Sequence, residues 1–195
     1  SYKGNKLIYT KGVDVYYGDT NFFTRVDINY DDRSEFNRAK SVAKSSDVVV
    51  MVLGEEGYQT GEGRSRTNLL LPGLQQELLE EIYKVNKNIV LVLVNGRPLN
   101  ISWADKNIPA IVEAWHLGSQ AGNAIAQVLY GDYNPSGKLT MTFPRNVGQV
   151  PIYYNYKNTG RPSKSQKAVT TSAYSDVENS PLYPFGYGLS YTSFD

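Results

Sequence analysis

Two six-residue runs, Val48 to Leu53 (VVVMVL) and Ile89 to Val94 (IVLVLV), restrict this chain more than any other feature. Each is unbroken, rich in β-branched residues and leucine, and ends abruptly at a polar residue or glycine: Asp47 and Gly54 for the first, Asn88 and Asn95 for the second. A half-buried strand alternates apolar and polar residues, whereas an unbroken apolar run of this length marks a strand covered on both faces. The first run is therefore expected at the centre of a sheet. Both are far shorter than the roughly 20 apolar residues that cross a bilayer, so no membrane partner is expected.

The segments around these runs read as helices. Pro72 stands where a helix can begin, and Leu74, Leu78, Leu79 and Ile82 form one stripe with charges opposite, which predicts a helix over about 73–85. Upstream, Phe36, Ala39, Val42 and Ala43 recur at helical spacing behind Asp31, Asp32 and Glu35, which predicts a helix over about 33–45. Downstream, Ile108 to Trp115 reads as a third strand, and Ser119 to Tyr130 as a helix stopped by Gly131. Two β-prone pieces flank Lys11-Gly12 within residues 7–17, and Lys138 to Phe143 alternates like a strand before Pro144. Buried strands joined by helices imply an α/β fold, a three-layer sandwich with a mostly parallel sheet flanked by helices. Ligands of such sheets sit beyond the carboxyl ends of the strands.

The 195 residues are expected to form one main domain over 1–156, followed by a loop-rich tail over 157–195. Residues 157–181 are rich in Lys, Ser, Thr and Asn, and 181–191 (PLYPFGYGLSY) are dense in aromatics and glycine. Lys plus Arg number 20 against 19 for Asp plus Glu, so no broad field attracts a polyanion and nucleic acid is not an expected partner. With no cysteine and one histidine, thiol catalysis and Cys/His metal sites lack their atoms. The opening Ser1-Tyr2-Lys3-Gly4 shows no leader pattern and is expected to reflect processing or truncation.

Nucleotide motifs fail on inspection. Ser136-Gly137-Lys138 resembles the end of a phosphate loop, but Leu139 stands where Ser or Thr is required and Gly131 is one place too far upstream. No G-x-G-x-x-G frame fits Gly54, Gly57, Gly61 and Gly63. The segment Gly54 to Arg66 (GEEGYQTGEGRSR) leaves the end of the first strand with three carboxylates and two guanidinium groups. Glu62 lies between Gly61 and Gly63, whose backbone freedom suits an acid that must move toward a neighbouring surface. From pattern alone, a solvated loop whose charges pair with one another is the favoured reading.

Further stretches carry a family resemblance: EGRSRT followed by LLLPGLQQELL, then LVNGRP, AWHLGSQAGNAIAQVLYGDYNPSGKLTMTFP, VPIYYNY, NTGRP and LYPFGYGLSYTSF. In this order and spacing, from about residue 6 onward, they resemble the second domain of glycoside hydrolase family 3, in its bacterial periplasmic β-glucosidase branch. The resemblance implies a two-domain active site: an N-terminal (β/α)8 barrel that binds the terminal sugar and supplies an aspartate nucleophile, and this sandwich, which supplies a glutamate acid/base. The matching glutamate is Glu62. Glu55, Arg64, Arg66, Tyr153, Tyr154 and Asn155 are the further cleft candidates, with Glu55 read as a structural or loop-anchoring residue.

The implied activity is retaining hydrolysis of terminal non-reducing β-D-glucosyl residues of an oligosaccharide. A β-xylosidase and a non-catalytic carbohydrate-binding module stand as alternatives. No cofactor or metal is expected, and a periplasmic or secreted location is implied. Neither a barrel nor the aspartate motif occurs here, so the isolated chain is expected to be inactive and truncated at both ends, leading toward an absent fibronectin-III-like domain, with an uncovered sheet edge or apolar face. His116 is read as structural and Arg97 as holding a loop. Gln120-Ala121-Gly122 depart from the family's glutamate followed by two glycines.

Overall fold

A computed structural model of the chain describes residues 4–163 and 169–193. The described elements run β1 (Tyr16–Tyr17), β2 (Asp27–Ile28), α1 (Phe36–Lys44), β3 (Val49–Gly54), α2 (Gln75–Val85), β4 (Ile89–Val94), α3 (Ser102–Asn107), β5 (Ala110–Glu113) and α4 (Ala121–Leu129). The chain forms two compact units: Ser1–Ser65 with Leu71–Gly96 and Ala104–Trp115, and Arg66–Leu70 with Arg97–Trp103 and His116–Asp195.

The first unit is built on a parallel sheet in the order β3-β4-β5, with Met51 opposite Leu91 and Leu91 opposite Ile111. One face carries Met51, Leu53, Ile89, Leu91 and Leu93, all buried, together with the stripes Phe36, Ala39, Ala43 of α1 and Leu78, Leu79, Ile82 of α2. Burying these side chains removes apolar surface from water, the main favourable term in folding. Beyond the core, α1 and α2 are tied by Arg33, which donates two parallel bonds to Glu77 at 2.6 and 2.7 Å, and by Lys40 to Glu81 at 2.5 Å. Lys40 and Lys84 together hold the Glu81 carboxyl down at about 2. In the antiparallel ribbon β1-β2, buried Asn29 donates to the carbonyls of Asp14 and Asp32 and accepts from the N–H groups of Asp31 and Asp32.

The α/β class and the parallel sheet agree with the pattern of runs, and all three predicted helices are present. Four details differ. Among the described residues β3 has a strand on one side only, and Val48, Val50 and Val52 on its second face are 50, 47 and 58% exposed. An unbroken apolar run reports apolar faces, not how many strands flank them; the central strand is β4, whose Leu91, Val92 and Leu93 are fully buried. Helix α3 was not legible in SWADKN, six residues too few to display a stripe, yet a parallel β4-β5 pair requires a crossover and α3 forms part of it. Residues 7–10 form no strand; only Tyr16–Tyr17 of the two β-prone pieces pairs.

The second unit contains α4 and irregular chain. Residues 138–143 are not a regular strand: Leu139 N–H donates to Tyr187 O, Gly186 N–H donates to Leu139 O and Phe143 bridges Tyr183, a discontinuous pairing broken by the turns around Gly186. Phe143 is buried beside Tyr183, which stacks on Tyr187 at 4.9 Å. Of the polar stretch 157–181, residues 164–168 lie outside the described residues. Among the described residues, no helix is long and apolar enough to cross a membrane.

The sheet places one glycine under a hard constraint. Gly54 has φ +143°, and a Cβ there would sit 1.9 Å from Val94 O. Gly54→Ala is expected to cost more than about 3 kcal/mol or to prevent folding; an unchanged urea midpoint would show that β3 and β4 do not meet as described.

Candidate active site

The site begins where β3 ends. Glu55 N–H donates to Val94 O at 2.7 Å, carrying the pairing with β4 one residue past Gly54. From α2, the buried Gln75 amide accepts from Gly54 N–H and donates to Gly54 O, both at 2.8 Å, and also donates to Pro72 O. A primary amide carries a donor and an acceptor side by side, so Gln75 satisfies both the N–H and the C=O of Gly54. Glu55 itself is 4% exposed, and its Oε2 accepts from Gly96 N–H at 3.2 Å. Gly96 in turn has no room for a Cβ, since Thr60 would meet it at 2.9 Å. The root of the loop is thereby fastened to α2 and to the end of β4.

The loop then folds on itself in two short turns. Glu56 and Gln59 form a reciprocal capping box, with Glu56 accepting from Tyr58 N–H at 2.7 Å and Gln59 accepting from Glu56 N–H at 2.8 Å. Next, Arg64 N–H donates to Gly61 O at 3.1 Å, closing a four-residue turn with Glu62 at its corner. Gly63 follows with φ +69°, the left-handed value that the third position of a type II turn demands. Glu62 is exposed, and its carboxylate has no hydrogen bond or ion pair with the described residues. The Arg64 guanidinium donates to Phe22 O at 2.5 Å and Thr24 O at 3.0 Å. Glu56 caps its own turn and Arg64 grips a distant backbone, so at these positions the charges do not pair with one another.

A second cluster stands at the ends of the neighbouring strands. Glu113 closes β5; its Oε1 accepts from Trp115 N–H at 3.1 Å and its Oε2 from Asn95 Nδ2 at 3.4 Å. Trp115 has φ +51°, uncommon for a bulky residue, and the Glu113 contact is one force holding it there. Burial pushes the Glu113 carboxyl up to about 7, against the opposing pull of the Trp115 and Asn95 donors. The sequence reading missed Gln75, Asn95 and Glu113. A signal existed for two of them, since Asn95 and Glu113 are polar residues at the carboxyl ends of apolar strands; nothing in an amphipathic helix announces that its first residue turns inward.

Glu55, Glu62 and Arg64 belong to the first unit; Arg66, Tyr153, Tyr154 and Asn155 belong to the second. Arg66 donates to Leu70 O at 2.9 Å. Tyr153, Tyr154 and Asn155 are exposed, and the Tyr154 ring stacks on Phe185 at 4.6 Å. Among the described residues, no group of three or more His, Asp or Glu side chains is placed to hold a metal ion.

The raised Glu113 pKa sets a pH dependence. Between about 4.5 and 7 the folded chain keeps a proton there that the unfolded chain releases, so this group lowers stability as pH rises through that window, by about 3 kcal/mol at most. Glu113→Gln, which mimics the protonated acid, is expected to flatten the decline in urea-unfolding free energy between those pH values; an identical slope in wild type and variant would show that Glu113 titrates normally.

Comparison with known proteins places this geometry. A family model described as the glycosyl hydrolase family 3 C-terminal domain matches residues 5–191. A periplasmic β-glucosidase of Salmonella typhimurium is 47% identical over 98% of this chain and 26% of its own length. A β-xylosidase of Formosa agariphila is 47% identical over 89% of the chain and 23% of its own. The crystal structure of a β-glucosidase from Listeria innocua in complex with glucose superposes with a TM-score of 0.81 at 38% identity, covering 87% of this chain and 24% of that one. The chain thus spans about a quarter of the length of these relatives. With the family match running almost end to end, the chain belongs to glycosyl hydrolase family 3 as its C-terminal domain.

Proposed function

We propose that this chain is the acid/base domain of a retaining β-glucosidase that removes terminal non-reducing β-D-glucosyl residues from oligosaccharides. Glu62 is the proton donor, and the nucleophile is an aspartate on an N-terminal (β/α)8 barrel of the same parent polypeptide. One observation carries the reading: among the described residues the Glu62 carboxyl stands exposed and unengaged at the corner of a glycine-flanked turn, on a loop rooted firmly at the carboxyl end of a parallel sheet. A side chain with a structural duty at that position would show partners, as Glu55 and Glu56 do.

The chemistry follows from the two-carboxyl requirement. Retention needs carboxyl groups about 5 to 5.5 Å apart across the scissile bond, one attacking the anomeric carbon and the other protonating the departing oxygen. Glu62 gives its proton to that oxygen as the C1–O bond breaks, and as a carboxylate then takes a proton from the water that releases the glycosyl group from the nucleophile. Mobility on two glycines lets the acid follow the oxygen, while the Gln75 and Glu55 anchors keep the sweep local. Arg64 and Arg66 bind backbone carbonyls. No cofactor enters these steps. A periplasmic or secreted setting accords with the name of the Salmonella relative.

A second reading has its own support. The Formosa relative named a β-xylosidase matches at the same 47% identity as the periplasmic β-glucosidase. The two sugars differ by a hydroxymethyl group, which in this account is recognised by the barrel.

In the full-length enzyme, Glu62→Gln is expected to lower kcat on cellobiose by about a hundredfold or more. Turnover of a 2,4-dinitrophenyl β-glucoside, whose leaving group needs no proton, should recover with added azide and yield β-glucosyl azide. Cellobiose hydrolysis unaffected by the substitution would exclude Glu62 as the acid. The 195-residue chain alone, lacking the nucleophile, is expected to leave an aryl β-glucoside intact and to show no heat of binding with glucose or cellobiose; unaided sugar binding would instead favour a carbohydrate-binding module.

A further inference from the structure

The exit of β4 brings together two residues whose chemistry the catalytic reading leaves unused. Asn95 is fully buried, and its Nδ2 donates to Glu113 Oε2 at 3.4 Å. Gly96 follows it in the chain, and its N–H donates to Glu55 Oε2 at 3.2 Å. The sheet order β3-β4-β5 puts the two acceptors on opposite sides of β4, since Glu55 follows β3 and Glu113 closes β5. The Asn95 amide is drawn toward one neighbouring strand and the Gly96 N–H toward the other.

An asparagine followed by glycine is a reactive pair. The backbone nitrogen of the second residue attacks the side-chain amide carbon of the first, and a glycine, having no Cβ, leaves that approach open. The fold requires both residues here. A Cβ at position 96 would meet Thr60 at 2.9 Å, and Asn95 supplies a donor to Glu113. A labile pair is thereby built into the root of the loop. Gly96 is exposed, so water reaches it, and its protection falls to the two bonds that hold the reacting groups apart.

We propose that Asn95-Gly96 is a modification site, kept intact in the folded chain by Glu55 and Glu113 and open to deamidation when the chain unfolds. In the unfolded chain the Gly96 nitrogen bonds to Asn95 Cγ, the Cγ–Nδ2 bond breaks, and the Gly96 proton leaves with Nδ2 as ammonia. Water then opens the cyclic imide: its hydroxyl joins one of the two carbonyl carbons and its proton returns to the nitrogen, which leaves aspartate or isoaspartate at position 95. No oxidant or reductant takes part. In the fold, the carboxylate oxygen on the Gly96 N–H opposes loss of the proton, because a negative oxygen disfavours a second negative charge beside it. After modification, a carboxyl faces Glu113 where a donor stood, or the main chain at the end of β4 is longer by one carbon. Either change opposes refolding of the strand exit, so unfolding becomes irreversible with time.

The test holds the full-length enzyme at neutral pH and one temperature, folded in one sample and unfolded in guanidinium chloride in the other. Trypsin then releases the peptide over residues 88–106, because Pro98 blocks cleavage after Arg97, and fragment masses locate the change from amide to acid at Asn95. Conversion is expected about tenfold or more faster in the unfolded sample, and the activity regained on dilution should fall as conversion rises. Equal rates in both samples would show that the fold gives no protection, and an unfolded sample without conversion would show the pair to be inert; each overturns the site. In folded Glu55→Ala the rate is expected to rise about fivefold or more over wild type, and an unchanged rate would remove Glu55 from the account. Should that variant not fold, hydrogen exchange at the Gly96 amide of folded wild type decides the same point: slow exchange supports the bond to Glu55, and exchange as fast as in an open chain refutes it.

Discussion

The closing of the sheet at Gly54 is the constraint on which the rest depends. A strand that runs parallel to β4 must part from it somewhere, and here the parting is made without a wasted polar group. Gly54 turns at φ +143° against Val94 O, where no side chain has room. Gln75 takes both backbone groups of Gly54, and Glu55 continues the bonding to Val94 and Gly96. A buried peptide left unpaired would cost about 1–3 kcal/mol per group, so the arrangement also stabilises the core. Its second effect is functional: it sets a fixed origin from which a short polar loop extends past the carboxyl end of the sheet.

From that origin the loop divides its residues by duty. Glu55 and Glu56 spend their carboxylates on backbone N–H groups, and Arg64 spends its charge on two carbonyls. Among the described residues, Glu62 is the one of the three loop glutamates without a partner, on a turn that its glycine neighbours permit. Firm roots with an acid unengaged among the described residues fit the role proposed for Glu62. At Glu56 and Arg64 the charges are directed at backbone groups, not at one another.

The parts of this architecture differ in how openly the sequence declares them. β3, β4, α1 and α2 announce themselves because burial imposes a repeating pattern on several residues at once, whereas β5 and α4, with no buried residue, show their apolar pattern all the same. Helix α3 was silent because six residues with a single buried alanine, Ala104, leave no period to read. The misplacement of β3 at the centre has the same root: pattern reports which faces are apolar and is blind to the neighbours along the edge. At the site, Glu62 stood out through the glycines around it and through the family motif. Gln75, Asn95 and Glu113 did not, because each makes a contact with chain at least 18 residues away, which no local pattern shows. A raised carboxyl such as Glu113 arises only when burial is known.

The central claim is spatial: the Glu62 carboxyl reaches a glycosidic oxygen that another domain presents. It is tested most directly by a crystal structure of the full-length enzyme holding an unhydrolysable S-linked disaccharide across the scissile position. The account predicts a Glu62 carboxyl oxygen within about 3 Å of the bridging sulfur, with an aspartate of the barrel on the opposite side of the anomeric carbon. A different carboxyl at the bridging atom, with Glu62 facing solvent away from the sugar, would contradict it.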